Sequence, residues 1–415
     1  MDRRLSVRSE TGRLRRVIVH TPGSEVEAMR PSCAEEDLYN DIIPMDIVQT
    51  EHAELKGFLS KVAVVHELKD ILAEALAEAD ARSELSAALC ELNDSAHRRD
   101  ELAAMAPAEL ARAVVEGLPA RHTRMEHYLR GREYDLPPLP NMYFMRDAAM
   151  VYRDRSIASA MRFKVRTPEA LIHRLIFTRH PDFKGAGRLF DGPALAAEGL
   201  SLEGGDFQAI GPNVVAIGVS ERTSARAVDL IARGMADAFG EPFSVIAVEL
   251  PVARATIHLD MAFTVIDRDA CLVFEPVILG PRRARVARID VAPGKEPKLR
   301  EEDSLLGALK GVGFDLKPIL TGGKDPIRQE REQWMSGANS FAYGSGKIVV
   351  YQVNVRTVEA LSAAGFEYRS ARDVIADKAD PLAPGRLVVG FDGVELARGG
   401  GGARCMTCPV EREDE

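Results

Sequence analysis

Cys405 follows the run Gly399 to Gly402 in RGGGGARCMTCP, where glycines let the backbone approach a ligand closely. A thiol in such a loop is a candidate nucleophile; the competing reading is a small buried hydrophobe beside a linker. Cys405 and Cys408 form a C-x-x-C pair, a pattern also used for zinc or redox chemistry, but no second C-x-x-C and no nearby histidine complete a metal set. His258 and Asp260, in ATIHLDMAFTVID, lie two apart and would project from the same face of an extended strand, a base beside a carboxylate. The alternative is a hydrogen-bonded core histidine and a surface aspartate. LEGGD sets Glu203 and Asp206 around Gly204-Gly205, either a turn that aims two carboxylates into one pocket or a solvated β-turn. PNMYFMRD supplies an amide, an aromatic face and a carboxylate at Asn141, Phe144 and Asp147. Arg222 stands just before a helical stretch with Thr223 or Ser224 as candidate N-cap, where structural ion pairing is its competing role.

These residues are spread over most of the chain, so the fold has to gather them. LRRVIVH (Leu14 to His20) reads as a strand closed by Thr21, Pro22 and Gly23. Met45 to Leu59 has helical spacing, and Val62 to His66 is a short apolar strand. From Leu68 to Leu129 the β signal stops, and residues rich in Ala, Leu, Glu and Arg with apolar positions three and four apart predict an inserted helical bundle. After Pro137 strands return: FQAIGPNVVAIGVS, FSVIAVEL, FTVIDRDACLVF, FAYGSGKIVVYQV and RLVVGF. Helices are expected at Thr223 to Phe239 and Glu301 to Val312. The class is α/β, with residues 1–67 and 130–415 as the catalytic domain and 68–129 as the inserted bundle. The alternation implies several similar units without fixing their number.

The chain has 415 residues, 46% hydrophobic and 28% charged, which is enough for a large core and carries none of the bias of disordered chains. Its formal net charge of -9 makes nucleic acid an unsuitable partner, while it suits a cationic small molecule. The N-terminal MDRRLSVRSETGRLRRV lacks an apolar core, and no run reaches the ~18 apolar residues of a membrane span, so no membrane partner and a cytoplasmic location are expected. Five cysteines in so long a chain predict reduced thiols.

Taken in order, GRLRRVIVHTPG, PPLPNMYFMRD, LEGGD, SERTS, HLDMAFTVID, EREQW and RCMTCP resemble the arginine deiminases of the guanidino-group modifying superfamily. The resemblance spans essentially the whole chain and includes the helical insert. It implies a five-bladed pseudo-symmetric α/β propeller (pentein) of ββαβ units with a central active site, no metal and no organic cofactor. Carried onto this sequence, it makes Cys405 the nucleophile, His258 the general acid/base, Glu203 its acidic partner, and Asp147 and Asp260 the guanidinium-binding carboxylates. Asn141, Arg166 and Arg222 would hold the α-carboxylate, with Phe144 beside the aliphatic stem. Leu38, in a DLYND stretch that resembles a gating loop, would contact the α-amino group, and Asp206 would complete the pocket.

The implied activity is hydrolysis of free L-arginine to L-citrulline and ammonia through an S-alkylthiouronium on Cys405, by a homo-oligomer (dimer or tetramer). A guanidinium stays charged at pH 7, which calls for two carboxylates, and its charge also favours the attacking thiolate. Two departures stand out: the position five before the nucleophile, often arginine in the family, is Gly400, and residues 370–392 exceed the usual link to the glycine loop. Rival readings are another guanidine-modifying enzyme (an amidinotransferase or a deiminase of a modified arginine) and a silent arginine- or citrulline-binding protein.

Overall fold

In Leu14–Val19 every side chain but that of Arg15 is buried, the pattern of a strand covered on both faces. It pairs antiparallel with Cys408–Arg412 on one side and parallel with Val64–Glu67 on the other. The parallel partner requires a crossover, supplied by helix Met45–Val62, whose buried Val48, Leu55, Phe58, Leu59 and Val62 fall on one stripe. The computed structural model describes residues 5–39, 41–121, 125, 128–129, 133–195 and 198–414. Among them the same unit, an antiparallel pair followed by a helix and a parallel strand, recurs four more times.

The second unit pairs Ala149–Tyr152 with Arg155–Ala158 and returns through helix Thr167–Arg179 to Gly187–Asp191. The third pairs Phe207–Gly211 with Val214–Val219 and returns through Ala225–Phe239 to Phe243–Glu249. The fourth joins Phe263–Asp267, Ala270–Val273 and, after helix Leu305–Gly311, Lys317–Leu320. Before that helix the chain makes an excursion: hairpin Arg285–Val291/Lys298–Glu302 extends the third sheet to five strands. The fifth unit is Phe341–Gly344, Lys347–Tyr351, helix Val355–Ala363 and Phe366–Ser370, with Arg386–Phe391 inserted between the last two strands. These sheets form the five-unit α/β propeller that the resemblance implies, and pairing of the first and last described strands closes the first unit.

One expectation changes. The helix predicted over Glu301 to Val312 begins only at Leu305, because Lys298–Glu302 is an edge strand and Ser304 caps the helix by accepting a bond from the Gly307 N–H at 3.1 Å. The long segment 370–392 holds helix Ala371–Ile375 and, as expected from RLVVGF, the buried strand Arg386–Phe391.

Helices Leu68–Ala75, Ala79–Leu92, Arg99–Ala104 and Pro107–Glu116 occupy the expected insert. In the first, Leu68, Ile71, Leu72 and Ala75 are buried at the i, i+3, i+4, i+7 positions of one face. They share a core with Ile18, with Val151, with Ile172, Leu175 and Ile176 of helix Thr167–Arg179, and with Val410 of the closing strand. The helices therefore complete the apolar cover of the first two sheets instead of enclosing a core of their own. The expected end of the insert, at 129–130, falls where the described residues are broken, so that boundary lies outside them. Among the described residues no helix is long and apolar enough to cross a membrane.

Candidate active site

Cys405 sits in the turn between the glycine run and the closing strand, buried at 4% exposure. Its N–H donates to Asn339 Oδ1 at 3.1 Å, and its carbonyl accepts from the Arg146 N–H at 2.9 Å, so the turn is fixed from two sides. The sulfur lies 3.9 Å from Asp260 Oδ2. Burial, then the negative charges of Asp260 and Asp147, push the thiol well above its ordinary pKa, so it is neutral unless a cation is bound beside it.

His258 is extended, but Leu259–Met261 is a 3-10 turn and the strand starts only at Phe263. The expectation of His258 and Asp260 on one strand face is therefore corrected. The turn brings them together instead, held by the Asp260 N–H donating to the Gly205 carbonyl at 3.1 Å. His258 Nε2 is 2.9 Å from Glu203 Oε2, and Nδ1 is 3.6 Å from Asp147 Oδ1, an ion-pair distance longer than a hydrogen bond. Burial alone would lower the pKa of His258, yet Asp147, Glu203 and Asp206 outweigh it and raise it to about 9. For Glu203 burial opposes ionisation, but Arg222 and His258 hold it down at about 2. The pair is thus an imidazolium against a carboxylate. Gly205 packs directly on the imidazole: a Cβ there would lie 2.5 Å from His258 Cγ.

Asp260 Oδ2 accepts from Arg404 Nη1 at 2.8 Å, and the rest of the Arg404 guanidinium binds Glu10. Asp147 Oδ2 accepts from Arg166 Nη1 at 2.7 Å. The other oxygen of each aspartate, Asp147 Oδ1 and Asp260 Oδ1, is buried without a hydrogen-bond partner. Such oxygens cost free energy unless something arrives to donate to them.

A cavity of about 340 Å³ opens beside these groups, near the lower end of the ~300–1,000 Å³ of small-molecule sites. Cys405, His258, Asp147, Asn141, Phe144, Arg166, Arg222 and Leu38 line it. Arg166 is held by Asp147 and by Glu169, and Arg222 lies over Phe163, its Nη1 3.5 Å from Glu203 Oε2. Asn141 Nδ2 donates to the Asp37 carbonyl at 2.7 Å, tying the Leu38 segment down, and Leu38 itself has φ 66°, a left-handed conformation that leucine rarely takes. Glu203, Asp206 and Asp260 lie behind the lining. Asp206 accepts from Ser220 Oγ at 2.6 Å and from the Leu259 N–H at 2.9 Å, so it braces the turn after His258 and does not form the wall of the pocket. Its burial raises its pKa to about 6.

Sequence reasoning missed Asn339, Glu10 and the inward role of Arg404. Asn339 Oδ1 also accepts from the Arg404 N–H at 3.0 Å, so one amide sets two successive peptide groups at the nucleophile. Nothing in SGANSF marks it; the one local trace is an arginine placed directly before the candidate nucleophile. Asp147, Glu203 and His258 have ligand atoms within 4.8 Å of one another, close enough for a metal ion. However, both imidazole nitrogens already face carboxylates, an arrangement suited to a protonated ring and not to a metal ligand.

A buried thiol, an imidazolium–carboxylate pair and two carboxylates with unmet oxygens are thus gathered around one cavity of the five-unit α/β propeller. The family model described as arginine deiminase matches residues 36–412, and the chain belongs to that family. The arginine deiminase of Treponema denticola is 33% identical over 436 residues, covering 99% of both chains. That of Rhodococcus erythropolis is 31% identical over 431 residues, covering 99% of this chain and 98% of the relative. Among solved structures, the N-terminal domain of ArgZ, an arginine dihydrolase from cyanobacteria, superposes with a TM-score of 0.52 at 14% identity, covering 96% of this chain and 97% of that one, a likeness of fold.

Proposed function

We propose that this chain hydrolyses free L-arginine to L-citrulline and ammonia. The observation that carries the reading is the pair of buried, unpartnered carboxylate oxygens, Asp147 Oδ1 and Asp260 Oδ1, close to a thiol that opens onto a cavity. A planar guanidinium donates to both and brings the positive charge that the thiol lacks. Binding therefore favours loss of the thiol proton to solvent through the cavity, since His258 is already protonated, and gives the thiolate at the moment that the electrophile is in place. The sulfur attacks the guanidinium carbon, forming a C–S bond and a tetrahedral adduct. His258, protonated at neutral pH, gives its proton to the departing nitrogen as the C–N bond breaks, and ammonia leaves. The neutral imidazole then takes a proton from water, which attacks the S-alkylthiouronium carbon; the C–S bond breaks, thiol and imidazolium are restored, and citrulline is released. Glu203 keeps the ring oriented through both steps and favours its return to the charged form in the second.

Incubation with L-arginine tests the reading. One ammonia per citrulline, with no amine acceptor required, is the expected result. Acceptor dependence, or ornithine with two ammonia, would overturn it.

A further inference from the structure

Arg254 begins the 3-10 turn Arg254–Thr256, four residues before His258, and lines the same cavity as Cys405. Its guanidinium lies 4.5 Å from the Trp334 ring centroid, and its Nη2 donates to the Arg398 carbonyl at 3.0 Å, which holds the head group against the start of the glycine loop. Gly400 has φ 101°, a conformation that strains any other residue. A Cβ built there has Arg254 Nη2 at 3.8 Å as its nearest neighbour. The loop thus carries no side chain at 400, and the direction such a side chain would take is already filled by a guanidinium from another element. Arg254 presents its head group at the glycine rim, with Asp41 acting on it through its charge.

We propose that Arg254 is a specificity-determining residue that pairs with the α-carboxylate of an amino-acid substrate, from the place a loop side chain at 400 would otherwise reach. The inference rests on the reading of the cavity as an arginine site. A planar fork suits a carboxylate, and stacking on Trp334 holds the fork in one orientation. Selection is then for a free amino acid over a decarboxylated guanidine.

The test compares wild type with Arg254→Gln and Arg254→Lys. Glutamine retains a donor for the Arg398 carbonyl, and lysine retains the charge without the fork. For L-arginine, Arg254→Gln should raise KM about 10- to 100-fold with kcat changed less than about 3-fold, and Arg254→Lys should recover part of the loss. Alkylation of Cys405 by a haloacetamidine, an amidinium with no carboxylate, reports the thiol and the guanidinium end alone, and its rate should stay within about 2-fold of wild type. An unchanged KM would overturn the inference. So would an alkylation rate that falls as far as kcat/KM, because Arg254 would then act through the cysteine loop. A wild-type protein that makes no citrulline refutes the proposed function instead, so the two failures are distinct.

Discussion

Among the described residues two buried histidines are each set between two carboxylates, and only one belongs to the candidate active site. His258 meets Glu203 at 2.9 Å and Asp147 at 3.6 Å; His20 meets Glu25 at 2.9 Å and Glu67 at 3.2 Å. In both, burial opposes the charged ring and the neighbouring carboxylates raise its pKa. Each cluster even leaves one carboxylate oxygen without a partner, Asp147 Oδ1 and Glu25 Oε2. Burial, charge and an unmet oxygen therefore do not by themselves make a site. Around His20 the remaining positions are filled by Lys56, the Thr21 hydroxyl and the Gly23 N–H, and the cavity beside Cys405 does not reach it. Around His258 a thiol, a second unmet aspartate and an opening to solvent coincide. Perturbed protonation is shared by structural and reactive clusters; access is what separates them.

The largest effect separating the two regions should come from the thiol. Cys405→Ser is expected to lower kcat at least ~10⁴-fold with Tm unchanged, since a serine hydroxyl is not ionised here. Appreciable turnover would sink the covalent mechanism. The histidines should then part company: His258→Ala should cost ~10²–10⁴ in kcat, whereas His20→Ala should leave kcat of the folded enzyme within about twofold and instead lose ~3–5 kcal/mol of stability in denaturant unfolding. Equal losses of kcat would erase the distinction.

Titration sharpens it further. His258 is raised from 6.5 to about 9, so the stability of its charged form is fully present below pH 6.5 and is lost as pH rises through about 9. Glu203 is lowered from 4.5 to about 2, so its contribution is complete above pH 4.5 and is lost as pH falls through about 2. The Tm of Cys405→Ser should decline as pH rises from 6.5 through about 9, and His258→Gln should remove part of that decline. An unaltered alkaline limb would assign it to His20 alone. The smallest effect is reserved for Cys408→Ser: the thiol donates to the Ala149 carbonyl at 3.5 Å, and burial pushes its pKa up to about 11, so it is inert and kcat should stay within about twofold.

Much of this was legible in the residues. Strand RLVVGF is found at Arg386–Phe391, and the hairpin strands of FQAIGPNVVAIGVS fall where alternation and the Gly-Pro-Asn turn put them. Cys405, His258, Glu203, Asp147 and Asp260 were marked as candidates by the order of their motifs along the chain, each stretch by itself leaving a competing structural reading. The supports carry no such motif. Asn339 is a lone amide far from the nucleophile in sequence, and Glu10 reaches Arg404 across 394 residues. The turn at Leu259–Met261 was hidden because its apolar neighbours read as strand; Asp206 and Gly205, contributed by another unit, bend it.

Cys405, the candidate nucleophile, stands three residues before the strand that pairs with Leu14–Val19, so its thiol is mounted on the latch between the first and last described strands. The strand pairing with the greatest separation along the sequence is therefore also the one that positions the sulfur. A ribosome must deliver everything from Leu14 to Arg412 before that pairing can form, and a protein with the latch parted, even briefly, carries Cys405 away from the groups gathered around it.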